Sequence, residues 1–106
     1  MSGGQNQAAN PVRGEAAVRV NGETLVLRPT FAALVAAEAE LGPLFALVER
    51  AAAGTLTLGE MVALFWHCLR DPGPTREALG EAVAARGLTA VTPVLRVLLG
   101  QILAGR

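Results

Sequence analysis

Residue types that carry covalent chemistry are scarce in this chain. Lys is absent from its 106 residues, so all nine cationic side chains are Arg. Without Lys, neither Schiff-base chemistry nor the lysine of a phosphate-binding P-loop is available. The single cysteine, Cys68, excludes an intramolecular disulfide framework and a zinc site built from cysteine pairs.

Net charge, targeting signals and long apolar runs are also missing. The formal net charge is zero, which argues against nucleic-acid binding, because that needs several cations on one face. The first residues, MSGGQNQ, lack the apolar region of a signal peptide. No uninterrupted apolar run approaches the roughly 18 to 20 residues that cross a bilayer. We therefore predict a cytoplasmic protein that binds neither nucleic acid nor a membrane.

His67 and Cys68 are the only candidates for acid–base or nucleophilic work. Adjacent residues on a helix point about 100° apart, so the two side chains cannot share one face. The alternative is a half-buried histidine near a helix C-terminus and a cysteine that acts as a small apolar residue. We favour that alternative and predict no enzymatic activity, no catalytic residue, no metal and no cofactor.

What the chain does contain begins with a predicted hairpin. Residues 16–20 and 23–28 alternate between apolar and polar side chains on either side of Asn21-Gly22. That pair is preferred in type I′ turns, because both central residues need positive φ. The predicted register places Val18 opposite Leu25, on a face that helices must cover.

Capping residues, glycines and prolines predict the helices that follow the hairpin. The predicted helices cover 31–41, 43–53, 58–70 and 76–86, and a last one begins with Thr92 as its N-cap and Pro93 as its first residue. The first helix is predicted to carry Phe31, Leu34, Val35 and Leu41 on one stripe. The fold class is α+β, mostly α, with an N-terminal β-hairpin followed by a bundle of about four to five short helices. Residues 1–14 are predicted to be a disordered tail, and residues 15–106 a single domain.

Two predicted helices carry more apolar surface than one stripe. In the third, Leu64 and Trp66 lie off the main apolar face, and in the last only Arg96 and Gln101 interrupt the apolar side chains. Such helices are either central in their own domain or covered by another protein. For Trp66 both alternatives stay open. As partner-binding residues we predict Phe65, Trp66, Leu95, Leu98, Leu99 and Ile102.

Several short segments resemble a known family. They are 13–15 (RGE), 18–23 (VRVNGE), 25–34 (LVLRPTFAAL), 37–42 (AEAELG) and 53–60 (AGTLTLGE). These segments are similar to the gene transfer agent family of phage-tail proteins, which is classed with the tail assembly chaperones and also described as tail tube proteins. The resemblance covers roughly residues 12 to 90, and none of its motifs is catalytic.

The resemblance implies a non-enzymatic role in virion assembly through protein–protein interaction. Proteins of this kind bind the tape measure protein, a long and partly helical chain, and help to recruit tail tube subunits around it. The tape measure and tail tube proteins are therefore the expected partners, and self-association into a homo-oligomer stays open. The alternative function is a structural tail or tail tube subunit that self-associates.

Overall fold

The computed structural model describes residues 16–71 and 73–105, so the predicted tail over residues 1–14 lies outside the described part of the chain. Within it, an antiparallel hairpin precedes five helices. The strands are β1 (Ala16–Val20) and β2 (Glu23–Leu27), and the helices are α1 (Phe31–Leu41), α2 (Leu44–Ala53), α3 (Leu58–His67), α4 (Arg76–Arg86) and α5 (Leu88–Ala104). This order confirms the predicted fold class.

Turn chemistry sets the register of the hairpin. Asn21 and Gly22 both adopt positive φ, at 53° and 83°, as a type I′ turn requires. Val18 pairs with Leu25, which confirms the predicted register. The apolar face of β1 is buried, whereas Arg19 points to solvent and donates hydrogen bonds across the turn.

Side-chain caps begin three of the helices. Thr30 and Thr75 each accept a hydrogen bond from a first-turn amide, at the starts of α1 and α4. At the start of α3, Thr57 and Glu60 form a reciprocal capping box, with both bonds at 3.0 to 3.1 Å. Each cap satisfies amides that have no partner inside the helix, so these predicted starts are confirmed.

The third helix ends earlier than predicted. It stops at His67 rather than near Arg70, because the following residues pair with the outer edge of β2. The Arg70 amide donates to the Val26 carbonyl at 2.9 Å, and the Arg28 amide donates to the Cys68 carbonyl. These bonds give an otherwise open strand edge backbone partners.

The last helix begins earlier than predicted, at Leu88 instead of Pro93. Gly87, with φ 92°, turns the chain directly from α4 into α5. Thr92 is not an N-cap, since its hydroxyl donates to the Leu88 carbonyl at 2.7 Å within the helix. Pro93 lies inside the helix and lacks one hydrogen bond. Val91, two residues before Pro93, is buried, with 1% of its surface exposed.

The core lies between the hairpin and helices α1, α3, α4 and α5. Helix α3 is central and buries five consecutive residues, Met61 to Phe65, with α1 and α4 packed against it. Helices α4 and α5 pack against β1. The domain itself therefore covers much of the apolar surface that made α3 and α5 unusual in the sequence.

Candidate protein-contact surface

The structure separates the six predicted partner-binding residues into two groups. Phe65 and Leu98 are fully buried, with 0% of their surface exposed. A partner can reach them only if the core opens. The other four are half-buried and pack against the core from its edge, and for these a contact with a partner stays a prediction. They are Trp66, Leu95, Leu99 and Ile102.

The two candidates for covalent chemistry lie in different surroundings. The Cys68 side chain is fully buried, and burial raises the pKa of its thiol from 9.0 to about 12. A thiol with that pKa stays protonated at neutral pH and is a poor nucleophile. His67 instead lies at the surface end of α3, with Nε2 2.8 Å from a carboxylate oxygen of Glu40. The two side chains therefore share no site.

Glu40 joins three helices through its carboxylate. One of its oxygens contacts His67 on α3 and the other accepts a hydrogen bond from Arg76 on α4. The Arg76 guanidinium lies 4.7 Å from the ring centroid of Trp66, a favourable cation–π distance. The Trp66 indole N–H donates to the Pro74 carbonyl at 3.3 Å. These contacts give the indole N–H and the ring of Trp66 partners within the domain, and a contact with another protein stays a prediction.

A second ion pair attaches α2 to α3. Arg50 donates two hydrogen bonds to the two carboxylate oxygens of Glu60, one of them at 2.8 Å. Glu60 also accepts from the Thr57 amide as part of the capping box. The contacts of Arg50 and then Thr57 lower the pKa of the Glu60 carboxyl from 4.5 to about 2. Hydrogen bonds from Arg76 and then from His67 likewise lower the pKa of the Glu40 carboxyl from 4.5 to about 2.

These two carboxylates predict how stability depends on pH. Their pKa is lower in the folded than in the unfolded chain, so they stabilise the fold above pH 4.5. That contribution is lost as the pH falls from 4.5 towards 2. We expect Tm to fall over this range less steeply in the double variant Glu40→Gln and Glu60→Gln than in the natural protein. Circular dichroism melts from about pH 7 to about pH 3 measure the difference.

Glu81→Gln is the matched control, because Glu81 is exposed and has no ion-pair partner among the described residues. It should leave the slope of Tm against pH unchanged. Glutamine can still form the capping box, so the double variant keeps the helix start. Equal slopes in all three proteins would mean that the two ion pairs do not stabilise the fold.

Helix α1 exposes part of the apolar stripe that the sequence predicted. Leu34 and Leu41 pack against the core, but Phe31 is 85% exposed and Val35 is 49% exposed. The predicted stripe is therefore divided, with Leu34 and Leu41 against the core and Phe31 and Val35 towards solvent. The outward side also carries exposed alanines, Ala32, Ala36 and Ala39. Only two residues of α1 are charged, so the helix is apolar on both sides. This composition was the signal in the sequence that part of its apolar surface would stay exposed.

Helix α2 adds a second exposed aromatic and one wall of a cleft. Phe45 is 77% exposed and lies off the inner face of α2, on which Leu47 is buried. An aromatic residue away from the apolar stripe was the signal in the sequence. The cleft has a volume of about 160 Å³. We call it the apolar cleft, and its lining residues are Glu38, Leu44, Phe45, Val48, Ile102 and Leu103.

The described residues contain neither a cluster of metal ligands nor a single membrane-spanning helix. In residues 16–71 and 73–105 no group of three or more His, Cys, Asp or Glu side chains could hold a metal ion. In the same residues no single helix is long and apolar enough to cross a membrane, although two bent pairs, α1 with α2 and α4 with α5, reach that length together. Of the predicted partner-binding residues, only Ile102 lines the apolar cleft.

Comparison with protein families gives a match over most of the chain. The family described as phage tail tube protein, GTA-gp10, matches residues 13–105. The match confirms the resemblance to a gene transfer agent family and extends it through α5, beyond the segments on which the resemblance was based. Neither the curated proteins nor the solved structures contain a match to the chain.

Proposed function

We propose that this chain, which belongs to the GTA-gp10 family of phage tail tube proteins, is a non-enzymatic tail assembly chaperone. In this proposal it binds the tape measure protein in the cytoplasm and helps to recruit tail tube subunits around it. Membership of the family places the chain among phage-tail proteins of gene transfer agents. The chaperone role, the tape measure partner and the cytoplasmic location are the proposed part.

The observation that carries the proposal is the exposed apolar surface on α1 and α2. Phe31 and Phe45 leave 85% and 77% of their surface in solvent, and aromatic residues are enriched where proteins bind one another. The buried thiol and the paired imidazole leave the two chemical candidates without a shared site. A protein built in this way is suited to covering part of another polypeptide.

Co-expression tests the proposal directly. When the protein is produced with a tape measure protein from the same genome, we expect a larger soluble fraction of the tape measure protein. We also expect the two proteins to co-purify through a tag on either one. An unrelated small helical protein expressed at the same level is the control. No gain in solubility together with no co-purification would count decisively against the chaperone role.

The description of the family favours a second function, that of a structural tail tube subunit which self-associates. The two functions differ in where the protein ends up. A tube subunit is present in purified particles at the stoichiometry of the major tail protein, whereas a chaperone is absent or present in traces. Quantitative mass spectrometry of purified particles separates them. We rank the tube subunit second, because the described residues contain only one two-stranded sheet.

A further inference from the structure

The exposed side of α1 leads into the apolar cleft. Phe31, Val35 and Glu38 follow one another at helical spacings of four and three residues, so they lie along one side of the helix. Glu38 is also part of the cleft lining, next to Phe45 and Leu103. Glu38 therefore belongs both to the outward side of α1 and to the cleft, whose lining also includes Leu103 near the end of α5.

The form of this surface favours a helical occupant. Its residues lie in α1, α2 and α5, whose backbone groups are mostly bonded within their own helices. At the start of α2, the Leu44 amide is bonded to Glu38 at 3.0 Å. The surface thus offers apolar side chains and no strand edge. A bound segment has to satisfy its own backbone, which an amphipathic helix in a groove does.

The charges beside the surface favour a basic occupant. Helices α1 and α2 carry three carboxylates, on Glu38, Glu40 and Glu49, and one guanidinium, on Arg50. Glu40 is paired with side chains on α3 and α4, which leaves Glu38 and Glu49 as the carboxylates beside the surface. Arg50 is already held by Glu60. Glu49 is exposed and has no ion-pair partner among the described residues. Basic side chains beside the apolar stripe of a partner would complement these carboxylates.

We propose that the apolar cleft and the outward side of α1 bind one amphipathic helix of a partner protein, with Arg or Lys flanking its apolar stripe. The apolar stripe lies along Phe31 and Val35 and places one side chain in the cleft beside Phe45. The basic flanks lie near Glu38 and Glu49. Identifying this helix with a segment of the tape measure protein rests on the proposed function, whereas the surface and the chemistry of its ligand do not.

Two designed peptides test the inference on the full-length protein. Each is a labelled helix of about 20 residues, roughly 30 Å long, with the same leucine stripe. One peptide has lysines beside the stripe and the other has glutamates. Fluorescence anisotropy should show that the lysine peptide binds more tightly. Phe45→Ser should weaken its binding by about tenfold, as expected for an aromatic residue at the centre of an interface.

Helix α5 supplies a matched pair of controls. Leu103 and Leu88 are each 56% exposed, but only Leu103 lines the cleft. Leu103→Ser should weaken binding of the lysine peptide, and Leu88→Ser should not. Glu49→Lys should reduce or reverse the preference for lysine over glutamate flanks. Circular dichroism of each variant checks that the helical fold is kept.

Three results would overturn the inference. These are equal binding of the two peptides, unchanged binding by Phe45→Ser, and a Phe45-dependent dimer in analytical ultracentrifugation, which would make a second copy the occupant. Co-purification with the tape measure protein keeps the proposed function separate. If Phe45→Ser retains that partner, the tape measure protein does not bind at this surface, and the chaperone role stands. If the lysine peptide binds through Phe45 but the tape measure protein does not bind, the surface stands and the role fails.

Discussion

Replacement of Phe65 with Ala is expected to lower the free energy of unfolding by about 3 to 5 kcal/mol. The Phe65 side chain has no exposed surface and lies in the central helix of the core. Its truncation removes apolar contacts and leaves a cavity that the surrounding side chains fill only in part. Urea denaturation followed by circular dichroism measures the change. A loss of this size is a large part of the stability of a small domain.

Phe45→Ala is the matched control, because it removes the same atoms from a side chain that is 77% exposed. It should change the free energy of unfolding by about 0.5 kcal/mol or less. Similar effects of the two substitutions would contradict the central position of α3. They would also make Phe65 available again as a partner-binding residue.

Replacement of Leu98 with Ala is expected to lower the free energy of unfolding by about 2 to 5 kcal/mol. Leu98 is 0% exposed, and its helix, α5, packs against β1 and α4. If α5 did not pack on its own domain and were buried only in a complex with a partner, the same substitution would leave the stability of the isolated protein nearly unchanged. Urea denaturation of the purified protein distinguishes the two cases.

Leu103→Ala provides the comparison within the same helix. Leu103 is 56% exposed, so its truncation should cost about 1 kcal/mol or less. A larger loss of stability for Leu103→Ala than for Leu98→Ala would mean that α5 is rotated about its own axis, with Leu103 facing the core. The expected order places Leu98 in the core and the last turn of α5 at the apolar cleft.

These expectations depend on where the structure places the apolar residues of α3 and α5. An excess of apolar residues in α3 and α5 suggested that another protein covers them. The structure covers α3 from several sides and turns Val91 and Leu98 of α5 into the core. Exposed large apolar side chains remain on α1, α2, α3 and α5, but the two most exposed, Phe31 and Phe45, lie on α1 and α2.

Local chemistry made the hairpin and the helix starts predictable from sequence. Asn21-Gly22 determines the turn and with it the pairing of Val18 with Leu25, since few other residue pairs accept positive φ twice. Thr30, Thr57 and Thr75 mark helix starts because a side-chain hydroxyl reaches an amide only three residues away. In each case the interacting groups are close in the chain, so the sequence alone determines the outcome.

Only the tertiary structure decided where α3 ends, where α5 begins and which side of each apolar helix faces solvent. The end of α3 depends on hydrogen bonds to β2, a strand that lies about 40 residues earlier in the chain. Helix α1 is apolar on both sides, so its periodicity could not choose between Leu34 and Phe31 as the inward residue. Contacts with α3 make that choice, because burial depends on which elements meet in space.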